Sequence, residues 1–149
     1  MKPTKLYLLL LLLALMAMPR SVHAQSDLQI SKVFDIYGKK KGVVMVELSD
    51  EMLGSYDLSL FKSIIIRNDP AAADFIRKCI EKDQEGAKKI KQVMANGTLS
   101  TIFLQLPRKG KENRMILYNQ TNAGLMLTLV YLESETNVDD LMNLLLKKK

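Results

Sequence analysis

Apolar positions along the chain change period several times, and each change predicts an element. Ile30, Val33, Phe34 and Tyr37 recur at i, i+3, i+4 and i+7, one face of a helix, and Gly38 stands where a left-handed cap would end it. GVVMVELS, residues 42–49, is β-rich and apolar on both faces up to Glu47, which predicts a central strand covered on both sides. Ser49-Asp50-Glu51 reads as a short helical start, and Phe61 to Arg67, centred on Ile64, Ile65 and Ile66, as a second strand. Asn68-Asp69-Pro70 then opens a helix, since Asp69 can cap it and its first turn accepts Pro70. Phe75, Ile76, Cys79, Ile80, Ala87, Ile90 and Met94 fall along one side of that helix, which Gly86 would kink or split and Asn96-Gly97 would end.

From Leu99 onward the period shortens. LSTIFLQL, RMILYN and GLMLTLVYL are three β-rich segments joined by the turn-length links PRKGKE and QTNA, the pattern of an antiparallel meander. Ile102, Leu104 and Leu106 share one face of the first of them. Thr136 is placed to cap a last helix with Asp139 three residues on, whose stripe is Val138, Leu141, Met142 and Leu145. The expected fold is α+β, a two-layer domain in which a mixed sheet of about five strands, ending in the C-terminal antiparallel meander, packs against helices.

The first residues follow another logic. Lys2 and Lys5 precede an uncharged apolar run from Leu6 to Met18, and a short polar stretch ends in Val22-His23-Ala24. That is the layout of a secretory signal peptide cut between Ala24 and Gln25. The run is short of the roughly 20 apolar residues that a membrane-spanning helix needs. No cysteine follows the cut to take a lipid, and no later segment is long enough to span. The expected organisation is a cleaved signal peptide over residues 1–24 and a single domain over residues 25–149, located in the periplasm, the outer cell envelope or outside the cell.

Cleavage changes the charge balance. The full chain carries +6, but residues 1–24 hold Lys2, Lys5 and Arg20 and no acid, so the remaining 125 residues carry +3. A domain so nearly balanced has no electrostatic excess with which to hold nucleic acid. Cys79 is the single cysteine, so an internal disulfide is impossible and the fold must rest on its core. Its place beside Phe75, Ile76 and Ile80 marks it as a small core residue.

Cleavage also removes His23, the sole histidine. Ser-His-Asp and Cys-His catalysis and every histidine-bearing zinc site go with it. The scattered glycines form no phosphate-cradling loop, so no catalytic, metal or cofactor-binding residue is assigned. Paired carboxylates drawn from Asp35, Glu47, Glu133 and Glu135 could still support a small hydrolase acting on an envelope or glycan substrate. The lysine runs at 39–41, 88–89, 108–111 and 147–149 could gather into a patch for acidic glycan or lipid. On the long helix, however, Asp74 with Lys78, Arg77 with Glu81 and Glu85 with Lys89 stand at i, i+4 and can neutralise one another.

Taken together, ISKVFDIYGKKKGVVMVELS, KSIIIRNDPAAADFIRKC and TIFLQLPRKGKENRMILYNQTNAGLMLTLVYLE resemble a family of small exported proteins of unknown function from Bacteroidetes. The resemblance implies a Gram-negative envelope or periplasmic setting and an α+β fold, and it brings no catalytic residues. The leading functional expectation is a non-catalytic exported domain that binds a protein or envelope component through a sheet edge or the exposed face of the meander. The carboxylate hydrolase and the lysine-mediated binder are the alternatives.

Overall fold

The computed structural model describes residues 3, 4, 7, 27–53, 58–121 and 123–146, with the side chains at 50, 142 and 144–146 excepted. The signal-peptide junction, with His23, Ala24 and Gln25, lies outside these residues, as does the 147–149 lysine run. No helix among the described residues is long and apolar enough to cross a membrane.

The elements in chain order are α1 (Ser31–Tyr37), β1 (Val44–Ser49), α2 (Asp50–Leu53), β2 (Leu60–Arg67), α3 (Pro70–Asp83), β3 (Lys88–Ala95), β4 (Thr98–Lys109), β5 (Glu112–Thr121), β6 (Met126–Ser134) and α4 (Val138–Leu146). The strands form one six-stranded sheet in the order β1-β2-β6-β5-β4-β3, and every neighbouring pair is antiparallel. This corrects the expected mixed sheet of about five strands in two ways.

The sixth strand, β3, occupies the second half of the expected long helix. Asp69 does cap α3, its carboxylate accepting from the Ala72 N–H at 2.9 Å, but the helix stops at Asp83. Gly86 then takes a positive φ of 75° and turns the chain into β3. Asn96 (φ 51°) and Gly97 (φ 75°) both adopt the left-handed region, as the tight two-residue hairpin between β3 and β4 requires. The spacing of Ala87, Ile90 and Met94 resembles a helical stripe because β3 is irregular. Its register against β4 shifts between Lys89 and Lys91 and again between Val93 and Met94, so its apolar residues lose the period of two. The pairing of Glu85 with Lys89 on a shared helix disappears with the helix, and Asp74 bonds Arg77 rather than Lys78.

The second correction concerns β1. It is an edge strand rather than a central one, pairing among the described residues only with β2. Its inward residue Met45 packs on the main core, while Val44 and Val46 on the other face are 48% and 39% exposed. No parallel pair occurs among the described strands: β1–β2, β3–β4, β4–β5 and β5–β6 are antiparallel neighbours in sequence, and the α3 crossover carries the chain from β2 to β3 at the far edge, where it pairs antiparallel with β4.

Helices lie on both faces of the sheet. On the first, Val33, Phe34 and Tyr37 of α1 and Ala72, Ile76, Cys79 and Ile80 of α3 pack on Ile64, Ile66, Ile102, Leu104, Ile116, Tyr118, Leu129 and Tyr131. Cys79 is a core residue, as its stripe predicts. On the second face a smaller cluster of Phe103, Met115, Val130 and Leu132 is covered by Leu141 and Val138 of α4. The cap of α4 is Asn137 rather than Thr136, its side-chain oxygen accepting from the Asp139 N–H at 2.7 Å. Gly38 is right-handed, with φ −61°, so it serves space rather than conformation: a Cβ there would collide with Met45 Sδ and the Phe34 carbonyl.

Candidate functional site

Helix α3 lies across the first face with a polar group of residues at each end, and the two groups differ in how well they are satisfied. At its C-terminal end, Arg114 projects from β5 and is only 5% exposed. Its Nε donates to the Tyr131 hydroxyl at 2.9 Å, and its two terminal nitrogens donate to Asp27 at 2.9 and 3.3 Å. Tyr131 in turn donates to the Glu133 carboxylate at 2.6 Å. Asp83, the last residue of α3, accepts from the backbone N–H groups of Gln29 and Ile30 at 2.7 and 2.8 Å. The alternation of β5 and β6 places Arg114, Tyr131 and Glu133 together, since Arg114 pairs with Glu133 in register.

Burial and hydrogen bonding set the charges of this group. Burial works against the Arg114 guanidinium, but its bonds to Tyr131 and Asp27 outweigh that and hold it above its ordinary pKa. Burial, reinforced by the bond to Glu133, drives the Tyr131 phenol far up, so it remains a proton donor. Burial also raises the Asp83 carboxyl, against the two backbone N–H bonds that favour its charged form. The result is a clasp that ties residues 27–30 to the sheet. Its charged members bond one another, Tyr131 or the backbone.

The N-terminal end of α3 is different. An open cleft of about 500 Å³ lies between α3, the β3–β4 hairpin and the β5–β6 turn. Arg77 and Asp74 of α3, Thr98 and Ser100 of β4, and Gln120 and Thr121 of β5 contribute its polar walls. Ala73, Ala95, Ala123 and Gly124 leave the room. Among the described residues, Arg77 Nε and Thr121 Oγ1, of two residues that line the cleft, are buried atoms without a hydrogen-bond partner. Burial pushes the Tyr118 phenol up to about 12, while the Arg77 charge and the Gln120 side chain beside it pull the other way. An unsatisfied buried group costs about 1–3 kcal/mol.

Of the four acids expected to support hydrolysis, Glu133 is buried in the clasp and Glu47 pairs with Lys62 at 3.7 Å. Asp35 on α1 and Glu135 beyond β6 are exposed. Two of the lysine runs do meet: Lys88 and Lys89 share a surface recess with Arg108, but Glu135 and Asp139 line it too. No group of three or more histidine, cysteine or acidic residues that could hold a metal ion occurs among the described residues. The sequence reading passed over Arg114, Tyr131 and Tyr118. Their one visible signal is a polar or phenolic side chain at an inward position of an alternating strand.

Residues 17–145 match the model of the Family of unknown function (DUF6108). The chain belongs to that family. No curated protein matches it. The family takes in every element from α1 to the last turn of α4, and therefore both the clasp and the cleft.

Proposed function

We propose that this chain is an exported, non-catalytic domain of a Gram-negative envelope that binds a protein component by accepting an extended segment of that partner beside β1. The contrast between the two edges of the sheet supports this reading. Edge strand β3 carries Lys88, Lys89 and Lys91, charges that discourage another strand from pairing there. Edge strand β1 has no such row: Val44 and Val46 stand exposed on one face, with the single acid Glu47 engaged by Lys62. An added strand would take its affinity from the main chain of β1 and its specificity from Val44, Val46 and the neighbouring Ile65. The signal-peptide pattern of residues 1–24 supports the exported setting.

Site-specific photo-crosslinking in the producing cell tests this. A crosslinker at position 44 or 46 should yield a discrete adduct with one envelope protein, and the same group at position 91 on the opposite edge should not. Equal adducts from both edges, or none from either, would remove the reading. An adduct of twice the chain's mass would replace the partner with a second copy and overturn it as stated.

A further inference from the structure

We propose that the segment received by β1 carries a basic residue, then two apolar residues two positions apart, then an acid, and that charge at the two ends of β1 fixes its direction. The inference rests on the reading of β1 as the docking edge and names the partner's chemistry there. The edge is not uniform along its length. The one charged side chain of β1 is Glu47, near its C-terminal end, and the turn before its N-terminal end carries Lys39, Lys40 and Lys41. All three lysines are exposed, the ammonium of Lys40 lying 4.4 Å from the Tyr37 ring centroid.

Glu47 has charge to offer an incoming strand. Its contact with Lys62 is 3.7 Å, too long for a hydrogen bond, and its side chain is 53% exposed. Lys62 is only 12% exposed and has a second partner, since its ammonium also lies 5.0 Å from the Phe34 ring centroid. A basic residue opposite Glu47 therefore gains a cross-strand partner without leaving Lys62 unpaired. Alternation places Met45 and Glu47 on the first face of the sheet, and Val44 and Val46 on the other, beside Ile65 and Ser63 of β2. An antiparallel strand, the relation that every neighbouring pair of this sheet adopts, sets its residues against Glu47, Val46, Met45 and Val44 in that order. The order reads basic, apolar, unrestricted, apolar, and the chain beyond it runs toward Lys41, where an acid is favoured. In a parallel arrangement the same sequence would bring its basic end to the lysines.

Two capped peptides of identical composition serve as probes, Thr-Lys-Val-Thr-Val-Thr-Glu and the same sequence with its Lys and Glu exchanged. Each is titrated into the full chain as its host produces it, while the backbone amide resonances of Val44 and Val46 are followed. The first should shift both resonances saturably and bind about fivefold tighter than the second, a ratio that shrinks as salt is raised. Glu47→Gln should cut that ratio, and so should Lys39→Ala combined with Lys41→Ala. These surface changes leave the main chain of β1 intact. The inference falls if neither peptide binds, if the two bind alike, or if neither change moves the ratio. Backbone methylation of the first peptide separates it from the reading beneath it. Methylating one of the two alternating sets of amide nitrogens should abolish binding and methylating the other should not, because only one set faces β1. If neither set matters, strand addition itself is overturned. If one set matters and the charge order does not, β1 remains the docking edge and the partner's chemistry alone is wrong.

Discussion

Arg114 and Asp27 are 87 positions apart in the chain, yet their side chains meet at 2.9 Å. The contact joins the middle of the sheet to the segment that precedes the first helix. Its two partners are unequal, since the Arg114 side chain is 6% exposed and that of Asp27 58%. Removing the exposed partner, Asp27→Ala, should cost about 1 kcal/mol in urea unfolding. Arg114→Ala leaves Tyr131 and Glu133 buried with an incomplete network and should cost about 3 kcal/mol. Equal losses would mean that the buried half of the clasp adds nothing.

The two readings of residues 84–97 predict opposite signs for one substitution. In a helix interior, Gly86→Ala would stabilise by up to about 1 kcal/mol. At the positive φ of 75° that Gly86 adopts, alanine is strained and should destabilise by about 1 kcal/mol or more. Thermal unfolding of this variant decides between them.

Cys79 is 5% exposed, and burial, with Asp83 nearby, raises its thiol above its ordinary pKa. A buried, protonated thiol is a poor nucleophile. Native protein should therefore fail to react with a thiol reagent at neutral pH, and labelling in urea should follow the unfolding curve. Rapid labelling of the native chain would place Cys79 outside the core.

Asp83 gives stability a pH dependence of definite sign. Its folded pKa lies above the ordinary 3.8, so in the window above 3.8 the folded chain holds more protons than the unfolded chain. Its contribution to stability is then greatest below that window and falls as pH rises through it. The stability of wild type relative to Asp83→Asn, measured by urea unfolding from about pH 3 to about pH 7, should decline with pH. A rising difference would show that the N–H bonds from Gln29 and Ile30 outweigh burial.

The lysines on β3 should act as guards of an edge. Replacing Lys89 and Lys91 with valine should make the protein associate as concentration rises, seen by light scattering, with little change in monomer stability. An unchanged monomer would mean that β3 is shielded in another way.

Local rules made much of this fold legible in the chain itself. The stripe of α1, the Asp69-Pro70 start of α3, the alternation of Ile102, Leu104 and Leu106, and the core position of Cys79 each depend on a period or a cap spanning a few residues. Where pairing with a distant segment decided the outcome, the pattern misled. Strand β3 exists because β4 can fold back on it through Asn96-Gly97, and the two register shifts that accommodate this pairing erase the alternation that would reveal a strand. Strand β1 is apolar on both faces yet lies at an edge, because no local signal counts how many strands the sheet will place beyond it. Tertiary structure alone brings Asp27 to Arg114, and Arg77, Gln120 and Thr121 to the walls of one cleft. Hydrogen-bond satisfaction belongs to groups far apart in the chain, and the chain order carries no record of it until the strands are in register.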